Sequence, residues 1–149
     1  MLEAVWRLER SGVFAIDALS SLYETAPVGI STTHPFINVA CLGRTAAAPR
    51  ELLELCKGVE RELGRGPAGT SRDRPIDIDI LLFGLLAVAE PDLLIPHPRM
   101  RERRFVLVPL AEIAPDLPVP PDGCPVRLLR DAMAEDHGVT RVSARWLIR

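Results

Sequence analysis

Asp77 and Asp79 stand two apart in the run RPIDIDILLFG, interleaved with Ile76, Ile78 and Ile80. Alternation of apolar and polar residues with period two is the pattern of a β-strand, and in a strand residues i and i+2 project from the same face, roughly 6.5–7 Å apart. The stretch therefore reads as a strand with two carboxylates side by side. Aspartate is disfavoured in strands and like charges repel. A solvated outer face would tolerate the pair. A divalent cation would use it: two hard oxygen ligands on a stiff element suit Mg2+, which keeps several waters and takes its remaining ligands from substrate phosphates.

Arginines lie on both sides of this pair. Arg72 and Arg74 precede it, and HPRMRERRF (97–105) adds a second basic group. The spacing predicts a helix over 99–108 with Pro98 at its start, which would set Arg99 and Arg103 on one face. Guanidinium forks bind phosphate oxygens in two-pronged fashion. Carboxylates for a metal together with arginines for phosphate are the equipment of phosphoryl transfer, where positioning and charge neutralisation do most of the catalysis. A wet helix face would also explain the arginines of the second segment, and it is the reading we adopt for Arg101. His97, held between Pro96 and Pro98, has a stiff backbone and opens the basic segment, where it could donate to a phosphate.

The elements that must position these groups are legible in outline. LEAVWRLER (2–10) has helical spacing, with Leu2, Val5, Trp6 and Leu8 on the apolar side and Gly12 as its stop. VFAIDALSSLYET (13–25) and HPFINVACLGRT (34–45) read as a hairpin-like pair of strands around a turn at 25–29. APRELLELCKGVERELG (48–64) is the clearest helix, with Pro49 at its first position, a Leu52, Leu53, Leu55, Cys56, Val59 and Leu63 stripe, and Gly64 at its end. Residues 65–75 form a loop without apolar anchors. GRGPAGTS (64–71) within it mimics a phosphate-binding Gly-rich loop, but it lacks the lysine and lies between helix and strand, the reverse of the required order. An irregular connection (84–98), Pro-rich turns (115–125) and a short helix near 126–134 complete the chain. This order predicts an α+β sandwich, an antiparallel sheet with helices on one face, in a single domain over residues 1–149.

Composition narrows the function classes. With 149 residues, 48% hydrophobic and 26% charged, the chain can bury one core. Seventeen of the 18 basic residues are arginine, Lys57 being the exception, so the overall excess follows from codon usage and only clustered arginines carry weight. A net charge of −2 and strands without a stacking aromatic set speak against nucleic acid. Cys41, Cys56 and Cys124 have neither metal-ligand spacing nor an even count. No apolar run reaches membrane-spanning length, and Arg7, Glu9 and Arg10 interrupt any signal peptide. We expect a cytoplasmic protein that does not engage membranes.

Taken together, RPIDIDILLFG followed by IPHPRMRERRFVLVPLAEIAP, with SSLYETAPVG and PFINVAC upstream, resembles 6-hydroxymethyl-7,8-dihydropterin pyrophosphokinase of folate biosynthesis. The likeness runs from about residue 2 to the Pro-rich stretch near 121. It implies a ferredoxin-like α+β fold and transfer of diphosphate from Mg-ATP to the pterin hydroxymethyl group, giving AMP, by a monomer. By position, Asp77 and Asp79 would hold two Mg2+ ions and act in catalysis with Arg74 and Arg103. Glu60, Arg65, Arg74, His97 and Arg103 would line the nucleotide. Thr25, Val28, Phe36, Asn38 and Phe105 would form the pterin pocket, the aromatic pair sandwiching a flat ring and Asn38 reading its polar edge. From the residues alone, Phe36 and Phe105 read as core. The loop at 65–75 would be a mobile lid.

The sequence also departs from that family. The usual opening strand and Gly-Ser-Asn turn do not precede the first helix, so we expect the first strand of the sheet to be missing, its two neighbours to carry unpaired edges, and the start codon to have been placed late. Ala26 and Asp73 stand where prolines are usual, and the lid has only Arg65 and Arg72 as obvious basic residues. The alternative is a truncated, catalytically impaired ferredoxin-like module that binds nucleotide or pterin. The retained Arg74, Asp77, Asp79, His97 and Arg103 favour the enzyme.

Overall fold

A computed structural model of the chain describes residues 1–25, 35–64, 76–134 and 138–142. The proposed lid, Arg65, Arg72, Asp73, Arg74, Ala26, Val28 and most of the 25–29 turn lie outside the described residues. The architecture is α+β, and every strand pairing is antiparallel.

Helix α1 (Leu2–Arg10) ends at Ser11, and Gly12 follows with φ +70, as a helix stop requires. Its buried residues are Ala4 and Leu8, an i, i+4 stripe, while Trp6 is 64% exposed. The expectation that Leu2 and Trp6 join the apolar side is therefore corrected: Ala4 and Leu8, one turn apart, set the packed face, and the other two fall outside it. Helix α2 (Pro49–Glu62) starts where Glu51 accepts the Ala48 N–H at 2.7 Å and buries Leu52, Leu53, Cys56, Val59 and Glu60. The two helices pack on each other, and Arg7 is hydrogen-bonded to Glu3 and to Glu62 across the pair.

Each of the two long predicted strands is broken in two. Strand β1 (Phe14–Leu19) pairs with β4 (Cys41–Thr45), and β2 (Tyr23–Thr25) pairs with β3 (Phe36–Asn38). The break lies at Ser20, whose N–H donates to the Ala40 carbonyl while its hydroxyl takes the Ala40 N–H, both at 2.9 Å. A side chain thus replaces a ladder partner at the bend. A bulge at Asp17 sends that carboxylate to Arg44 in a two-pronged contact of 2.9–3.1 Å. Strand β2 has a second neighbour, β9 (Val139–Arg141), which gives a three-stranded sheet in the order β3-β2-β9.

The connection read as irregular contains a hairpin, β5 (Val88–Glu90) and β6 (Leu93–Ile95), secured by Arg50 of α2 to Glu90 and Asp92. The helix predicted over 99–108 is instead a 3-10 turn at Met100–Glu102 followed by α3 (Arg104–Ile113). Arg103 sits between them in extended backbone (φ −113, ψ 101), so Arg99 and Arg103 do not share a helix face. A short β7–β8 pair (Pro118–Val119 with Cys124–Pro125) and α4 (Val126–Asp131) follow, and Arg101 turns to Asp122 and the carbonyls of Val119 and Pro120. Arg101 is thus a structural tie.

The strand predicted at 76–80 belongs to none of the four sheets among the described residues. Its alternation is nevertheless real. Ile76 is buried with Ala4, Leu8, Leu52, Cys56 and Val59, and Ile78, Ile80 and Phe83 pack against that same cluster, while Asp77 and Asp79 are exposed. Alternation reports which side faces a core, and does not require a neighbouring strand. Burying such side chains stabilises by roughly 1.5–3 kcal/mol each. A one-residue slip would exchange the isoleucines for the aspartates, so the α1–α2 core fixes the outward direction of both carboxylates.

Candidate active site

Three predicted site residues meet at Asp79. Its Oδ2 lies 4.0 Å from His97 Nε2 and 3.9 Å from Arg103 Nη1. The approach is built by local backbone contacts. The His97 N–H donates to the Leu81 carbonyl at 2.8 Å, which fastens the His-Pro segment to the Asp-bearing stretch. The His97 carbonyl takes the Met100 N–H at 3.1 Å, and the fully buried Met100 anchors the turn that leads to Arg103. Arg103 also lies over the Phe105 ring, 5.6 Å from its centroid.

His97 Nδ1 accepts the Arg99 N–H at 3.2 Å, so the neutral ring carries its proton on Nε2, directed at Asp79. Burial pushes the imidazole below its ordinary range; Asp79 opposes this and Arg103 adds to it, leaving the net shift downward. A neutral donor and a guanidinium therefore flank one carboxylate oxygen.

Glu60 is completely buried beneath this arrangement. Its Oε1 accepts the N–H of Ile78, the residue between the two aspartates, at 2.7 Å, and Lys57 Nζ stands 3.1–3.3 Å from its two oxygens. Glu60 thus reaches the site through the backbone that carries Asp77 and Asp79.

A second group lies on the three-stranded sheet. Asn38 Nδ2 donates to Thr25 Oγ1 at 2.9 Å, and Thr25 is directly opposite Phe36 in the β2–β3 register. Phe36 is 45% exposed, too open for a core residue, whereas Phe105 at the start of α3 is partly buried. Helix α3 packs against β2, β3 and β9. An exposed aromatic beside a paired amide and hydroxyl offers both a flat surface and a polar edge.

Sequence reasoning passed over Glu112 of α3. Its carboxylate accepts the Ser21 N–H (2.8 Å), the Ser21 hydroxyl (2.9 Å) and the Tyr23 hydroxyl (3.1 Å), and Arg141 Nη2 lies 3.5 Å away. Burial alone would raise its pKa, but these donors and the Arg141 charge outweigh it and hold the carboxylate below its ordinary range. Among separate elements of a sequence, no spacing rule links residues 21, 112 and 141.

The donor set can be tested against a divalent cation. Among the described residues, no cluster of three or more His, Cys, Asp or Glu side chains could hold a metal on its own. Two exposed carboxylates with one face in common fit Mg2+, which needs only one or two protein carboxylates when phosphates complete its shell.

Residues 1–115 match the family of 7,8-dihydro-6-hydroxymethylpterin-pyrophosphokinase (HPPK), and the chain belongs to that family. Its α+β architecture is consistent with the family's ferredoxin-like fold. It is 40% identical over 119 residues to 2-amino-4-hydroxy-6-hydroxymethyldihydropteridine pyrophosphokinase of Porphyromonas gingivalis, covering 77% of this chain and 81% of the relative. The Bacillus subtilis protein of the same name is 44% identical over 111 residues, 74% of this chain and 66% of its own. That of Methylorubrum extorquens is 38% identical over 141 residues, 93% of this chain and 86% of its own, a match that extends past the Pro-rich stretch.

Proposed function

We propose that this protein transfers diphosphate from ATP to 6-hydroxymethyl-7,8-dihydropterin, releasing AMP, in folate biosynthesis. The observation that carries the reading is the convergence of His97 and Arg103 on Asp79 in a chain of this family. The pterin hydroxyl oxygen bonds to the β-phosphorus, the bond from that phosphorus to the oxygen bridging to the α-phosphate breaks, and AMP departs with that oxygen. The hydroxyl proton passes to solvent, with Asp77 or Asp79 as a carboxylate relay.

Asp77 and Asp79 would hold Mg2+, two ions in this reading, and bound metal would neutralise phosphate charge and make the hydroxyl more acidic. Arg103 takes a phosphate oxygen, and His97 donates from Nε2. Arg74 and Arg65, which lie outside the described residues, would add phosphate contacts. Glu60 keeps the two aspartates in place through Ile78. Phe36 and Phe105 cover the faces of the pterin, Thr25 and Asn38 read its edge, and Val28, which lies outside the described residues, would add an apolar wall. Donors held in place before the substrate arrives need no reorganisation at the moment of reaction.

We further read the chain as a single-domain cytoplasmic monomer that uses neither nucleic acid nor a membrane. Among the described residues, no helix is long and apolar enough to cross a bilayer. Sedimentation at micromolar concentration checks the monomer. The decisive assay is AMP release from Mg-ATP with and without the pterin. Pterin-dependent AMP is the expected result. A folded chain that binds ATP or pterin yet releases no AMP would overturn the enzyme reading in favour of a binding module.

A further inference from the structure

Strand β9 lies on the far side of β2 from the proposed pterin residues, yet shares its register with them. Thr25 pairs with Phe36 on one side and Val139 on the other, and Tyr23 pairs with Asn38 on one side and Arg141 on the other. Arg141 reaches back across this strand: its Nε donates to Ser21 Oγ at 2.8 Å, and that same hydroxyl donates to Glu112 Oε1 at 2.9 Å. Glu112 also receives the Ser21 N–H and the Tyr23 hydroxyl.

Glu112 therefore joins the last turn of α3 to Ser21, just before β2, and to Tyr23, the first residue of β2. Phe105 lies seven residues earlier, about two helical turns, and so on nearly the same face of α3. The core-facing contacts of α3 are apolar, with Leu107, Leu110 and Ala111 buried among Met100, Val119 and Val126. Apolar packing is non-directional and tolerates small slides. Directed hydrogen bonds to a carboxylate do not, since each displaced donor is left unsatisfied in a partly buried place.

We propose that Glu112, with Arg141 and Ser21, is a positioning device for the pterin pocket, setting the register of α3 on the β3-β2-β9 sheet and with it the place of Phe105 relative to Phe36 and Asn38. The device acts through Ser21, Tyr23 and α3, and none of its members need touch the substrate. It draws residues near the C-terminus into substrate recognition. The inference rests on the reading of Thr25, Phe36, Asn38 and Phe105 as the pterin site.

Glu112→Gln, Arg141→Ala and Arg141→Lys are compared with the unaltered chain for KM of pterin, KM of ATP, kcat and thermal midpoint. Loss of positioning raises the pterin KM of Glu112→Gln and Arg141→Ala by about tenfold, as expected when uniform substrate binding is weakened, with the ATP KM nearly unchanged. Arg141→Lys, which keeps the charge, recovers part of the loss. A merely structural role lowers the folded fraction, and hence apparent kcat, while leaving both KM values alone; that result would overturn the proposal, as would equal rises in both. If the unaltered chain itself shows no pterin-dependent AMP release, the underlying functional reading fails with it, which separates the two failures.

Discussion

Glu60 Oε1 accepts the backbone N–H of Ile78 at 2.7 Å, so a buried carboxylate on α2 grips the peptide between two exposed ones. The contact links helix formation directly to site geometry: α2 buries Glu60 through its apolar stripe, and Glu60 then holds the peptide between Asp77 and Asp79.

Removing that grip leaves the Ile78 N–H and Lys57 without their carboxylate. Glu60→Ala is expected to destabilise the protein by about 1–3 kcal/mol and to raise the Mg2+ concentration needed for half-maximal turnover, since both aspartates lose their support. Urea denaturation and a Mg2+ titration of AMP release check the two parts. A variant with unchanged metal dependence would show that the α1–α2 core alone holds the aspartates.

Asp77→Ala and Asp79→Ala test the centre itself. Each is expected to lower pterin-dependent AMP release by about a hundred- to a thousandfold, the scale for losing a preorganised electrostatic contact. The thermal midpoint should change little, because both side chains are exposed. Near-normal turnover in the double variant would sink the assignment.

Gly43 is required for a steric reason. A Cβ there would lie 2.4 Å from the Ala15 carbonyl oxygen and 2.6 Å from the Phe14 ring. The first of these neighbours is backbone and cannot rotate away. Gly43→Ala should therefore destabilise by about 1–3 kcal/mol, as overpacking does, read as a lower urea midpoint. No change would mean that β1 and β4 can separate locally at the bulge.

Two thiols make stability fall at alkaline pH. Burial pushes Cys41 up to about 12, with Glu9 adding to it, and burial pushes Cys56 up to about 11 against the opposing Lys57 charge. The folded chain holds these protons more tightly than the unfolded chain, whose thiols titrate near 9. Their contribution is complete below pH 9 and is lost as pH rises through 11 and 12. Urea midpoints measured from pH 8 to 11 should fall more steeply for the unaltered chain than for the Cys41→Ala, Cys56→Ala double variant. Parallel curves would refute the assignment.

The parts of the molecule that were legible share one property: they depend on local periodicity. The stripe of α2, the stop at Gly12 and the Ile-Asp alternation at 76–80 are all written within a few residues, and each orients its side chains as read. The paired arginines at 99 and 103 were misread because a 3-10 turn and an extended residue have no clear sequence mark; Arg103 nevertheless arrives at Asp79 from its extended position. The short strands β5, β6 and β9, three residues each, fall below the length at which alternation can be recognised. The Glu112 network was invisible because it is made wholly of contacts between distant segments.

Strand β9 has a further consequence, in the order of manufacture. Arg141 is 120 residues downstream of the Ser21 it bonds, so β2 emerges from the ribosome long before its second neighbour exists. Until then, among the described residues, β3 alone is present beside it. Pairings of such long sequence separation close late because loop entropy must be spent before they are rewarded. The proposed pterin pocket is thus completed only once residues 139–141 have been made, and a nascent chain that has not yet reached residue 139 holds a partial sheet with no settled place for its substrate.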